Sequence, residues 1–283
     1  MTDPVNPIVL GFLPQSGNNI KIWSDIKVFA NYAFIVRETH EHGVQIIDLT
    51  KLRAYYGQVG DCITQLEEDA HYDQVTSSHN IVINEQTAFA YAVGTKTCSG
   101  GLHVIDIHNP LEPNYAGCFS EDGYTHDAQC VIYTGPDTTY KNHEICFAFN
   151  EDTLTIVDVS DKANMVMLSR LNYTDDYYTH QGWLTEDQRY LMMNDEVDER
   201  QSGNPYTRTL LWNVEDLDNP FHIGSHFATV RSIDHNLYIR DNLAYLANYC
   251  SGLRILDSTK VGKFSLLTLK LFYEFTGPLQ SVL

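Results

Sequence analysis

The chain has 283 residues, of which 43% are hydrophobic, enough to build a packed domain and too many for a disordered one. Its formal charge of −19, with only 18 Lys and Arg, excludes a nucleic-acid partner, which needs clustered cations, and favours attraction of cations. No apolar run approaches the roughly 18 residues that cross a bilayer, so no transmembrane segment is expected, and the first residues lack the layout of an export signal.

The first punctuation is a turn. Asp3-Pro4-Val5-Asn6-Pro7-Ile8-Val9-Leu10-Gly11 aligns without gaps with Asp216-Leu217-Asp218-Asn219-Pro220-Phe221-His222-Ile223-Gly224. Segments 109–117 and 161–169 keep the same register. Proline and Asn here mark a turn before an outer edge strand, where a missing N–H is tolerated. The chain therefore reads as starting in mid-unit.

A two-residue signature then recurs as Ser24-Asp25, His79-Asn80, His126-Asp127, His180-Gln181 and His235-Asn236, at spacings of roughly 47 to 55 residues. Each doublet opens an apolar stretch, a turn rich in Asn, Asp or Gly, and a second apolar stretch. A third stretch ends in Asp48, Asp106, Asp158, Asn213 or Asp257. In the third unit the expected strands are 128–133, 144–149 and 153–159. In the fifth they are 237–239, 243–247 and 252–257, with Arg240-Asp241-Asn242 as a turn. Val, Ile, Tyr and Phe dominate them, and their apolar residues run almost without interruption, as in sheets packed on both faces.

Units of this size with no helical run between strands point to an all-β fold, a β-propeller of four-stranded antiparallel blades. Five complete repeats are expected at about 23–77, 78–124, 125–178, 179–233 and 234–272. A partial blade at 1–22 and a tail at 273–283 complete one propeller domain over 1–283. After Asp257 the pattern degrades, so the chain reads as incomplete at both ends.

Several strings carry a resemblance. Gly101-Leu102-His103-Val104-Ile105-Asp106-Ile107, Tyr124-Thr125-His126-Asp127-Ala128-Gln129-Cys130 and Asn150-Glu151-Asp152-Thr153-Leu154-Thr155-Ile156-Val157-Asp158 are three of them. They resemble the LVIVD-repeat, choice-of-anchor B family, as do the strings around Tyr178 to Tyr190 and Ser251 to Arg254. The resemblance implies a secreted or surface-anchored β-propeller and carries no settled activity.

In a propeller the loop between second and third strands lies on the same face as the doublet. That face gathers Glu38, His40 and His42 from the first unit, and Asn150, Glu151 and Asp152 from the third. Asn194, Asp195 and Glu196 come from the fourth, and Asn248 from the fifth. His79, His126, His180 and His235 are candidate metal ligands there, and Glu151 and Glu196 candidate catalytic bases on bound water. No cofactor is fixed by the sequence; the candidate is a divalent metal, Ca, Zn, Mn or Fe. The competing reading is architectural. A residue repeated in every unit is more easily explained by blade-to-blade hydrogen bonding than by one shared site, and Ser24 can replace imidazole in that role.

The loop 58–78, with Asp61, Glu67, Glu68, Asp69, His71 and Asp73, reads first as solvated, and Asn194 to Glu199 lacks an EF-hand's glycine and spacing. Trp23, Trp183 and Trp212 read as core or blade-packing residues. Six cysteines without a C-x-x-C pair read as bridges, which with the sequon at Asn172 favours an extracellular or cell-surface protein. Cys98 with Cys118 and Cys130 with Cys146 are the expected disulfides; Cys62 and Cys250 are left unpaired. The expected function is a module binding an unknown protein or carbohydrate ligand. A metal-dependent hydrolase or lyase and a purely structural repeat are the alternatives.

Overall fold

The computed structural model describes residues 5–17, 23–55, 64–262 and, as backbone only, 271–274. Thr2 and Cys62 lie outside the described residues. The chain divides into two compact units, Met1–Gly117 and Cys118–Leu283, and each is described by itself.

The first unit holds two four-stranded blades. The first runs Ser24–Phe29, Tyr32–Arg37, Val44–Asp48 and Ala70–Tyr72 in spatial order, the second Asn80–Asn84, Phe89–Val93, Leu102–Asp106 and Asn114–Phe119. The last strand ends just past the unit boundary. The second unit holds three blades. Its strands are Asp127–Ile132, Glu144–Phe149, Leu154–Asp158 and Val166–Leu171, then Thr179–Leu184, Tyr190–Asp195, Tyr206–Asn213 and Phe221–Arg231. Leu237–Arg240, Leu243–Asn248, Gly252–Asp257 and Leu271–Glu274 make the last blade. Five such antiparallel meanders are the blades of a β-propeller, as the repeat predicts. The N-terminal segment contributes the two-residue strand Gly11–Phe12, which pairs in parallel with Thr64–Gln65 of the long loop.

The repeated Asp has a single local cause. Its side chain accepts the N–H two residues on in all five blades: Asp48 from Thr50, Asp106 from His108, Asp158 from Ser160, Asn213 from Glu215 and Asp257 from Thr259. These are Asx turns, which stop the third strand and start the turn to the fourth. A second set follows where Asn109 caps Leu111, Asp161 caps Ala163 and Asp216 caps Asp218. Asp241 and Asn242 both take positive φ, 53° and 58°, as a two-residue hairpin requires.

Blades pack face to face. Glu144–Phe149 is buried at every position. Alternation then sorts the fourth blade's residues. Leu191, Met193, Leu210 and Trp212 share a core with Phe147, Phe149 and Ile156 of the third, whereas Met192 and Leu211 share one with Leu237, Ile239 and Leu246 of the fifth. An interior strand with both faces covered has no polar side to show, hence the unbroken apolar runs. Trp212 is core and Trp183 packs edge-on against Tyr238, but Trp23 is 53% exposed, so the expectation of a packing role fails there. It precedes the first strand, Ser24–Phe29.

Cys130 and Cys146 stand directly opposite in the third blade's first hairpin and are bonded to each other. Cys98 and Cys118 are both disulfide-bonded, and Cys250 is a free, exposed thiol.

Candidate functional site

The first strands of successive blades pack on one another within each unit, and their opening residues do two things. The second residue of the doublet ties blades together. Gln181 Oε1 accepts the N–H of Leu237 at 2.7 Å, and Asp25 Oδ2 accepts that of Ile81 at 3.2 Å. Gln129, two residues beyond its doublet, does the same for Leu184 at 2.8 Å. In the second unit the first residue also ties blades. His126 Nδ1 donates to the carbonyl of His180 at 2.9 Å, and His180 Nε2 meets Asn236 Oδ1 at 2.8 Å. Asn236 Oδ1 can only accept, so His180 Nε2 is the donor of that pair and Nδ1 is the nitrogen turned away from it.

That Nδ1 faces the cluster. His180 is 2% exposed, and the nitrogen is buried. It stands 3.1 Å from Glu196 Oε2, an ion pair when the imidazole is protonated. Local structure explains the approach. Thr179 pairs with Asp195 but Gln181 with Asn194, so His180 is the extra residue of a bulge, and Glu196 leaves the end of the adjacent strand beside it. Bulges re-aim side chains in this way.

His235 opens the next blade and brings Nε2 to 3.8 Å from Glu196 Oε1. The donor atoms of His180, Glu196 and His235 all lie within 4.8 Å of one another. The three imidazoles form a stack, His126 on His180 at 4.3 Å and His180 on His235 at 4.4 Å between centroids. Tyr178 and Tyr249 meet its two ends edge-on, and the Tyr249 hydroxyl donates to Glu196 Oε1 at 2.5 Å. Burial opposes the charge of Glu196, but His180 and Tyr249 at its oxygens and the charges of His180 and His235 prevail and hold its carboxyl down to about 2. Burial and then the Glu196 carboxylate push the Tyr249 hydroxyl up to about 12. Exposure rises outward, from 3% for the His180 side chain through 24% for Glu196 to 37% for His235. The cluster is therefore anchored in the protein and open to solvent at one side. Two imidazoles and a carboxylate leave coordination positions free on a tetrahedral or octahedral ion.

The remaining expected residues stand elsewhere. His126 is stacked on the cluster with Nδ1 engaged by the His180 carbonyl. His79, in the first unit, has Glu38 at 3.4 Å from its Nδ1. Glu151 is exposed, has φ 58°, and bridges through its carbonyl to Thr179; its charge acts on the Tyr178 hydroxyl. Asp195 is a turn residue, accepting from the Tyr173 hydroxyl and the N–H groups of Tyr177, Tyr178 and Val197. Tyr178 has a repeat counterpart in Tyr124, two residues before His126, and was open to the sequence reading; Tyr249 has none among the corresponding residues Glu151 and Asp195. A second acidic group, Asp137, Asp216 and Asp218, is a turn network whose carboxylates accept from Thr139, Leu217, Asp218 and Tyr140.

No curated protein matches the chain in sequence. A functionally unknown protein from Desulfotomaculum acetoxidans is similar in structure, with TM-score 0.61 and 10% identity over 93% of this chain and 74% of that one. The β-propeller domain of a Myceliophteria thermophila protein gives 0.52 at 13% identity, over 88% and 70% of the two chains. A chain of a nidogen/laminin complex gives 0.50 at 10%, over 87% and 75%. At such identities the likeness is one of fold. Residues 145–173, which span the second, third and fourth strands of the third blade, match the LVIVD repeat. The chain is thus a β-propeller whose third blade carries an LVIVD repeat.

Proposed function

We propose that this propeller is an extracellular or cell-surface binding module, and that its ligand site is a divalent transition-metal centre made by His180, Glu196 and His235. The observation that carries the reading is the convergence of His180, Glu196 and His235, whose donor atoms all lie within 4.8 Å of one another and of which His180 is buried. Two imidazoles with a carboxylate suit Zn, Fe or Mn. The open side then receives a protein or carbohydrate group as a further ligand. Two disulfide bridges support an oxidising compartment, and similarity to a chain of a nidogen/laminin complex supports a role in binding. The family resemblance adds surface anchoring.

A second reading is favoured by the ligand count. Three protein donors and an open position are the plan of catalytic rather than structural zinc sites. On that reading the protein is a metal-dependent hydrolase or lyase, with the ion generating a nucleophile from water.

Metal analysis and zinc titration of the chelator-stripped protein test both. One ion per chain with micromolar affinity or better is expected, lost in Glu196→Gln and in His235→Ala. No saturable binding by folded wild-type protein sinks the proposal. Zinc-dependent ester or peptide hydrolysis, absent in both variants, would select the enzyme reading.

A further inference from the structure

Two side chains outside the trio of His180, Glu196 and His235 bond directly to its members. Asn236 follows His235 at the start of the fifth blade, and its Oδ1 accepts from His180 Nε2 at 2.8 Å. In the same place of their doublets, Asp25 and Gln181 hold a backbone N–H of the next blade. Asn236 reaches back instead, to an imidazole of the preceding blade, while its own carbonyl is fixed by the Ala247 N–H at 2.9 Å. Its hold on Nε2 leaves Nδ1 as the nitrogen beside Glu196 Oε2.

The second is Tyr249, whose hydroxyl donates to Glu196 Oε1 at 2.5 Å. Oε1 is thereby engaged, and Oε2 is the oxygen that stands 3.1 Å from the His180 nitrogen. Unusual backbone brings Tyr249 there. Its φ is 23°, which a bulky residue rarely adopts, in the turn Tyr249–Ser251 after the blade's second strand. The turn is clamped, because the Ser232 hydroxyl donates to the Asn248 carbonyl at 2.9 Å and accepts the Ser251 N–H at 3.3 Å. The ring also meets His235 edge-on, 5.3 Å between centroids. Strain of this kind persists only where surrounding bonds impose it, and it gathers at functional sites.

We propose that Asn236 and Tyr249 are positioning residues for a metal ion held by His180, Glu196 and His235; the assignment rests on the metal reading above. Asn236 turns His180 so that Nδ1 faces the ion, and Tyr249 makes Glu196 a one-oxygen ligand through Oε2. An imidazole ligand ordinarily has its second nitrogen held by an oxygen acceptor, and a ligating carboxylate is itself hydrogen-bonded. Such partners fix ring orientation and ligand basicity, so their loss costs about 10–100-fold in metal affinity.

The test is zinc titration of the full chain, stripped with chelator, with the visible spectrum of the cobalt form as a second readout. Asn236→Leu and Tyr249→Phe should each weaken zinc binding by about 10–100-fold. Asn236→Asp keeps an acceptor for Nε2 and should bind at least as tightly as wild type, because a carboxylate raises the basicity of the imidazole it holds. Asn236→Ala serves should the leucine variant not fold. Cobalt absorption should change in Tyr249→Phe, where Glu196 is free to bind through both oxygens. Gln201→Met, at the exposed end of the short helix Asp198–Gln201, should match wild type in both readouts. Residues with a merely architectural role would lower the melting temperature of the metal-free protein and leave zinc affinity unchanged. That result overturns the assignment while the metal centre stands, and equal weakening in Asn236→Asp and Asn236→Leu removes Asn236 from it. No saturable zinc binding by folded wild-type protein sinks the centre itself and the positioning roles with it.

Discussion

Replacing Gln181 by Met tests whether side-chain tethers between first strands hold the blades in register. Gln181 is 1% exposed, Leu237 is fully buried, and the Gln181 oxygen sits 2.7 Å from the Leu237 nitrogen. Methionine is nearly isosteric but offers only a weak acceptor, so the buried amide loses its partner. An orphaned buried donor costs about 1–3 kcal/mol. Exchanging an amide for a thioether in an apolar core recovers about 0.5–1 kcal/mol. The net is about 1–2 kcal/mol, and with a urea slope of about 3 kcal/mol/M the unfolding midpoint should fall by about 0.5 M. Gln129→Met should behave alike, since Gln129 holds Leu184 at 2.8 Å. Gln201, exposed on the short helix, supplies the control, with a change within about 0.5 kcal/mol. Hydrogen exchange locates the effect, because the Leu237 amide should exchange faster in Gln181→Met and not in Gln201→Met. A Gln181→Met protein as stable as wild type, with the Leu237 amide equally protected, would refute the tether.

His103 is held by Tyr72 at Nε2 and Thr97 at Nδ1, and burial pushes its pKa down to about 4 from the usual 6.5. Unfolding therefore takes up a proton between those values, so its contribution is complete above pH 6.5 and is lost as pH falls towards 4. Relative to His103→Gln, wild type should lose about 3 kcal/mol over that window in urea titrations; a constant difference would contradict the assignment. Gly182→Ala would put a Cβ 2.7 Å from the Met192 carbonyl and from the Phe149 ring. It should cost about 1–3 kcal/mol in thermal melts, and an unchanged melting temperature would mean that the third and fourth blades pack less closely. Asp257 accepts from both the N–H and the hydroxyl of Thr259. Asp257→Ala should cost about 1 kcal/mol, with Asp257→Asn recovering most of it; equal loss in both variants would argue against the turn's role.

The sequence by itself determined what local chemistry controls. Asp48, Asp106, Asp158, Asn213 and Asp257 recur because each closes a turn with an amide two residues away, an interaction that needs no other part of the molecule. The strands between them were legible because packing on both faces leaves no polar positions, and Cys130 with Cys146 because hairpin register fixes what stands opposite. The doublets were different. His126 and His180 look alike in sequence, and both do tether blades, yet the bulge at His180 sets one of its nitrogens beside Glu196. Nothing in the sequence around Asp198 or Asp234 foretells burial, and the fold buries both. Trp23, which composition would place inside, stands exposed. In each case the deciding contact joins residues from different strands or blades. Whether a nitrogen finds a donor, an acid finds water, or a ring finds a covering sheet is set by neighbours tens of residues away, and only the tertiary structure brings them together.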